Sequence, residues 1–216
     1  MSIFTSQLMM SQRSIKLFIG AISLFVLFGF SISDQESKAI SQIKEIHEGA
    51  IFVRLHTDDA VLAKLKSLHY DKTYRKKVKE INASNKEVLA AFTSGYSFSK
   101  VYFFFSRDSE KIRNENFENV FVNSDLEIDT TIHFNSDTPF YVVDIGDVYF
   151  EHINGHMEGI VVLDRQFNQL KKPFPFYVRK RSGFAILKRT DVDMALILDK
   201  KFQLFYDKAV QSASIY

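Results

Sequence analysis

The 216-residue chain contains no cysteine and no tryptophan. The first absence excludes disulfides, thiol redox chemistry, cysteine metal ligation and lipid attachment at a cysteine. No Gly-x-Gly-x-x-Gly and no Walker loop occurs, so nucleotide binding has no motif behind it. There is no internal repeat and no long low-complexity linker. Acidic residues are missing from the whole stretch before Asp34.

The segment that lacks acids carries the strongest signal. Arg13 and Lys16 precede a mostly apolar run from Leu17 to Phe30, and Ser31 and Ser33 stand at the small-residue spacing used by signal peptidase, just before Asp34. A positive start, a short apolar centre and a small-residue exit are the features of a signal peptide. The run falls short of the ~20 apolar residues that span a bilayer, and Gly20, Ser23 and Gly29 weaken it further. Residues 1–33 are therefore expected to be a signal peptide, the alternative being a retained membrane anchor over 17–30. Two of the 28 basic residues lie in this segment, so the remainder balances at 26 basic and 26 acidic residues. A neutral body removes most of the case for nucleic acid that a pI near 8.6 would otherwise suggest.

With 46% hydrophobic and 25% charged residues, residues 34–216 suit one globular domain with a real core. The 22 Phe and 9 Tyr are read first as packing, since aromatic residues on strands mostly fill cores. Ala39, Ile43 and Ile46 predict a short helix over 34–48, closed by Gly49. "AIFVRLHT" (50–57) alternates as a strand should. Apolar steps of three and four residues from Val61 to Phe92 predict a long helical region, with phase breaks near His69–Lys72 and Asn82–Asn85. "KVYFFF" reads as a strand buried on both faces and hence central. Strand, helical crossover and strand make a βαβ-like unit. Short strands are expected at "VFVNSDLEI" and "TTIHF". Beyond Pro139 the pattern becomes strand, turn, strand, with turns at Ile145-Gly146-Asp147 and Asn154-Gly155, a bend at Asn168 and a hairpin at Ser182-Gly183. Met194, Ile197, Leu198, Phe202, Phe205 and Tyr206 predict a C-terminal helix capped by Thr190 or Asp191. The expected fold class is α/β or α+β, with one mixed sheet, a long helical crossover and a C-terminal helix.

Three clusters are candidates for chemistry. If the "VYFFF" strand is parallel to 50–55, Ser106, Arg107, Asp108 and Ser109 meet Thr57, Asp58 and Asp59 at the carboxyl ends of the strands, where open α/β sheets bind ligands. Arg107 offers a fork for a carboxylate or phosphate, and Asp59 and Asp108 offer proton sharing or a cation site. The competing reading has Asp108 and Ser109 capping the next helix. The second cluster, 144–159, holds Glu151, His152 and His156, oxygen and imidazole donors suited to zinc or iron. It is not a zincin motif, because Ile153 rather than Glu follows the first histidine and Gly155 lies between the two. The third, "KKPFPFYVRKRSG" (171–183), interleaves aromatic and basic residues.

No cofactor is expected. The reading the sequence favours is an exported envelope protein, a non-catalytic binding or structural module whose partner is an anionic small molecule, peptide, glycan or lipid headgroup. Nucleic acid is not expected, and membrane contact is expected only if the N-terminal segment is retained. The alternative is a metal-assisted or acid–base hydrolase that uses Asp59, Asp108, Glu151, His152 and His156.

Overall fold

Strand β1 (Ala50–Leu55) lies inside a five-stranded sheet of order β2-β1-β3-β4-β5. The structure, a computed structural model, describes residues 34–150, 155–181 and 188–213. Strands β2 (Lys100–Phe105) and β3 (Phe140–Phe150) flank β1, and both run parallel to it. Strand β4 (Gly155–Leu163) pairs antiparallel with β3, and β5 (Tyr177–Arg179) antiparallel with β4. The class is therefore α/β with a mixed sheet.

The register sorts the side chains into two faces. Phe52, Tyr102 and Phe140 share one face, and the irregular segment 114–138 covers it. Phe52 stacks on Phe140 with ring centroids 4.5 Å apart, and the rings of Tyr102, Phe117, Phe121 and Phe134 meet it edge-on. Edge-on and offset contacts are the arrangements that aromatic quadrupoles favour. Among the described residues, most phenylalanines are buried in the core or packed against it.

The other face, with Ile51, Val53 and Tyr141, belongs to helices. Helix α1 (34–48) reaches Tyr141 through Glu45, whose carboxylate accepts from the Tyr141 hydroxyl. Helix α3 (Asp71–Gly95) touches β2, and α5 (Asp191–Ala213) touches β5. The expected stripe of α1 is buried at Ala39, Ile43 and Ile46. Helix α5 opens with a capping box: Asp193 N–H donates to Thr190 Oγ1, and Thr190 N–H donates to Asp193 Oδ2.

The long helical region breaks once. Helix α2 (Asp59–Ser67) ends before His69, whose φ of 55° turns the chain into α3. The second expected break does not occur. Asn85 is buried in the continuous α3 and donates its side-chain amide to the His56 carbonyl at 2.9 Å. A polar residue on the inward face interrupted the apolar pattern without interrupting the helix.

Helix α3 returns from the carboxyl edge of the sheet to the amino edge, where β2 begins. Its buried residues are Asn85, Val88, Ala91, Phe92 and Gly95, and α2 buries none. Residues 71–84 and α2 therefore form a lysine-rich helical arm reaching about 20 Å past the carboxyl edge at 1.5 Å per residue. The β3–β4 hairpin extends past the same edge. Ile145 is level with Leu55, and five more residues of β3 follow.

Three further expectations need correction. Strand β2 is an edge strand, not a central one. It is buried because the segment after α4 (Ser109–Arg113) folds over it, with Val122 N–H donating to the Phe103 carbonyl and a bridge joining Phe104 and Phe121. The covered half of that edge, Phe103–Phe105, is closed to pairing with another chain. Ile145-Gly146-Asp147 is no turn, because the ladder with β4 runs through it. The strands expected at "VFVNSDLEI" and "TTIHF" reduce to isolated bridges and turns. Ser182-Gly183 lies outside the described residues.

Gly49 tests the α1–β1 junction. A Cβ there would stand 1.9 Å from the Pro139 carbonyl oxygen and 2.8 Å from that of Glu45. Both oxygens are tied into backbone hydrogen bonds, to Ala50 N–H and Gly49 N–H. Gly49→Ala is expected to destabilise the fold by about 2–4 kcal/mol, within the range for core clashes and backbone strain. Gly146→Ala, with nothing within 4 Å of its Cβ, should stay within about 0.5 kcal/mol of the parent. Urea denaturation of both variants checks this; equal midpoints would show that the junction can relax.

Candidate functional site

Parallel pairing brings the ends of β1 and β2 out at one edge of the sheet. The Ser106 hydroxyl oxygen accepts from Thr57 N–H at 3.1 Å and lies 2.9 Å from Thr57 Oγ1. Thr57 gives its only hydroxyl proton to Asp59 Oδ2 at 2.7 Å. Ser106 must then donate to Thr57, so the three form a directed chain, Ser106 to Thr57 to Asp59. Thr57 is buried.

On the other side of β1, β3 brings Asp144 level with Arg54. Arg54 Nη1 donates to Asp144 Oδ2 at 3.1 Å, and His56 Nε2 lies 2.8 Å from Asp144 Oδ1. The guanidinium also lies 5.8 Å from the centroid of the Phe167 ring. Its Nε is buried without a hydrogen-bond partner. The chain passes from β1 to β2 on one side and returns to β3 on the other, so this triad sits at the switch point where ligands of open α/β sheets gather.

The hydrogen bond that His56 donates to the Asp144 carboxylate raises the pKa of His56 above its usual value, and a bond to the Ile145 backbone adds to this, against the opposing effects of burial and Arg54. The Asp144 carboxylate thus stands between the Arg54 guanidinium and the His56 ring and favours the imidazolium form of His56.

The sequence candidates fall as follows. Asp59 is the first residue of α2 and accepts the Thr57 proton. Asp108 is buried, 2.9 Å from Lys111 Nζ and 3.9 Å from Arg107 Nε. Asp108 occupies the N-cap position of α4, but its carboxylate makes no capping hydrogen bond, and Ser109 donates back to the Ser106 carbonyl. The exposed Arg107 lies 4.6 Å from the centroid of the Phe105 ring. Asp58, at the end of β1 as expected, occupies the N-cap position of α2 without a side-chain capping bond and instead pairs with Lys77 at 2.9 Å, which ties the helical arm to the end of β1.

His156 stands on β4 opposite Tyr149, four positions beyond Ile145, with the two ring centroids 5.3 Å apart. That places it about 13 Å past the strand ends at ~3.3 Å per residue. Glu151 and His152 lie outside the described residues. Among the described residues no three histidine or acidic side chains converge on a point that would hold a metal. In the basic aromatic segment, Lys180 pairs with Glu158 and Asp191, and Lys201 donates to the Tyr177 carbonyl at 2.7 Å. Burial, with Arg189 and Arg179 nearby, lowers the pKa of Lys201.

Arg54, His56 and Asp144 were missed as a site by sequence reasoning. The available signal was a polar pair at alternate positions of an otherwise apolar strand, at its carboxyl end. A second feature had no signal at all. At the amino edge, a cleft of about 760 Å³ opens between α1 and residues 164–172. Tyr141 and Ser41 both donate to Glu45 within it, each at 2.8 Å. Burial and the Glu45 carboxylate push the Tyr141 hydroxyl far above its usual pKa.

No protein-family model matches the chain, and no curated protein or solved structure shows significant similarity to it.

The raised pKa of His56 dictates a direction. Its charge stabilises the fold fully below the unfolded value of about 6.5, and that contribution is lost as pH rises through the higher folded value. His56 is half exposed, so about 0.5 kcal/mol is expected, as for a solvent-screened ion pair. The stability difference between parent and His56→Gln should be largest near pH 6 and shrink as the pH rises above the unfolded value of about 6.5. Paired denaturation curves check this; a difference that does not change with pH would mean that His56 carries no extra charge in the fold.

Proposed function

We propose that the chain is an exported, periplasmic envelope protein that acts as a non-catalytic binding module for an anionic ligand. The observation that carries this reading is the commitment of Ser106, Thr57, Asp59, Asp108 and His56 at the carboxyl edge to internal partners. The Ser106 hydroxyl donates to Thr57, Thr57 donates to Asp59, Asp108 is held by Lys111, and His56 shares Asp144 with Arg54. Nucleophilic catalysis needs an accessible hydroxyl within reach of an unprotonated base; the pair formed here, Thr57 with Asp59, has its hydroxyl buried, and Ser106 reaches Asp59 only through Thr57. Lys38, Lys171 and Lys172, which line the amino-edge cleft without a carboxylate partner among the described residues, support a preference for anions. The ligand classes that fit are a small anionic molecule, a peptide, a glycan or a lipid headgroup.

Support for export comes from the Arg13–Lys16 start, the Leu17–Phe30 run and the Ser31–Ser33 exit. Among the described residues no helix is long and apolar enough to cross a membrane. Membrane anchoring, the alternative, then rests on the Leu17–Phe30 run. The hydrolase alternative has less support, since Asp59 and Asp108 are engaged separately and His156 stands far along the hairpin.

Two measurements test the proposal. Fractionation of cells producing untagged protein, followed by intact mass, should find a soluble envelope species beginning at Asp34. A full-length species in the cytosol would overturn export. Purified protein should turn over none of a panel of chromogenic esters, phosphoesters and glycosides. Turnover that is lost in Asp59→Asn or His56→Gln would instead establish the hydrolase.

A further inference from the structure

We propose that the amino-edge cleft between α1 and residues 164–172 is the binding site, and that its ligand is an acidic oligosaccharide. This rests on the reading of the protein as a binding module and goes beyond it by assigning the place and the chemistry. The volume, about 760 Å³, lies within the range of small-molecule sites.

The lining decides the ligand class. Lys38 and Gln42 project from one face of α1, four residues apart. Gln166, Gln169, Lys171 and Lys172 face them from the loop. The Asp164 carboxylate holds this loop in shape by accepting from the N–H groups of Gln166 and Asn168. Among the described residues, none of the three glutamine side chains makes a hydrogen bond and none of the three lysines has a carboxylate within ion-pair distance. Each glutamine amide presents a donor and an acceptor together. A sugar hydroxyl is likewise both, so a wall of free amides matches a polyhydroxylated ligand. The lysines add a preference for negative charge.

Three other lining charges are already engaged. Glu45 accepts from Tyr141 and Ser41, Asp164 holds its own turn, and Arg165 pairs with Glu115 at 3.1 Å. Glu45 and Asp164 keep their negative charge in these bonds and Arg165 is balanced by Glu115, so the preference for an acidic ligand rests on the position of the three unpaired lysines and not on a net positive charge of the cleft. Nucleic acid fits poorly, because Tyr141 is the aromatic residue of the lining and it is buried, leaving no ring for base stacking. A peptide added as a strand would need an open sheet edge, and the cleft lies between a helix and a loop.

The test is calorimetry on the full chain with three probes: hexameric oligogalacturonate, neutral maltohexaose and hexameric oligoglutamate. Oligogalacturonate should bind at least ten-fold more tightly than either of the others, and added salt should weaken it. The double variant Lys171→Glu/Lys172→Glu should lose at least ten-fold, and Gln42→Leu/Gln166→Leu a comparable factor, with melting temperatures unchanged. Equal binding of oligoglutamate would overturn the sugar assignment while leaving a binding module in place. Oligogalacturonate binding that is indifferent to both double variants would overturn the cleft as its site. No binding of oligogalacturonate would overturn the proposal. The binding-module reading itself fails on a different measurement, the turnover of chromogenic substrates.

Discussion

Strand β1 is hydrogen-bonded in parallel on both sides, and the rest of the molecule is arranged around that constraint. Parallel neighbours cannot be joined by a tight turn, so each connection must cross the sheet. The first crossover is the helical stretch from Asp59 to Gly95, and the second is the irregular segment that carries α4 and the aromatic cover. Because one crossover is helical and the other is not, the two faces of the sheet differ. One packs against α1, α3 and α5. The other is closed by rings gathered around Phe52, each favourable ring pair adding about 0.5–1.5 kcal/mol beyond simple burial.

The same constraint explains why polar groups collect at the carboxyl edge. Strands that run the same way end at the same edge, so their exit loops must satisfy one another's donors and acceptors. Thr57 and Ser106 do so across β1 and β2, Arg54 and Asp144 across β1 and β3, and Asn85 closes the His56 carbonyl from the helix layer. These bonds hold the base from which the helical arm and the β3–β4 hairpin project. The hydrogen-bonding groups named at this edge are spent on one another. At the amino edge, by contrast, free amides and lysines surround an open cleft.

Local features of the sequence were legible wherever one residue's neighbours along the chain determine its conformation. The stripe of Ala39, Ile43 and Ile46, the alternation of β1, the break at His69 and the Thr190 cap all belong to this kind, because helix and turn chemistry act over three or four residues. The errors arose where distant residues decide. Asn85 resembled a breaker because its partner, the His56 carbonyl, is 29 residues away. Gly146 resembled a turn because nothing nearby reveals that Gly159 pairs with it. "VYFFF" resembled a central strand because burial by a covering loop and burial by two neighbouring strands leave the same apolar run.

By itself, the sequence determined an α/β body with a mixed sheet, free of cysteine chemistry, neutral in charge beyond Ser33 and rich in Phe for its core. Those properties follow from composition and short-range periodicity, which need no partner to be expressed. Only the tertiary structure decided which charges are spent and which are free. An ion pair such as Arg54–Asp144 joins residues 90 positions apart, and a cleft exists only where a helix and a loop fail to close on each other. Both depend on strand order and register, which no local pattern encodes.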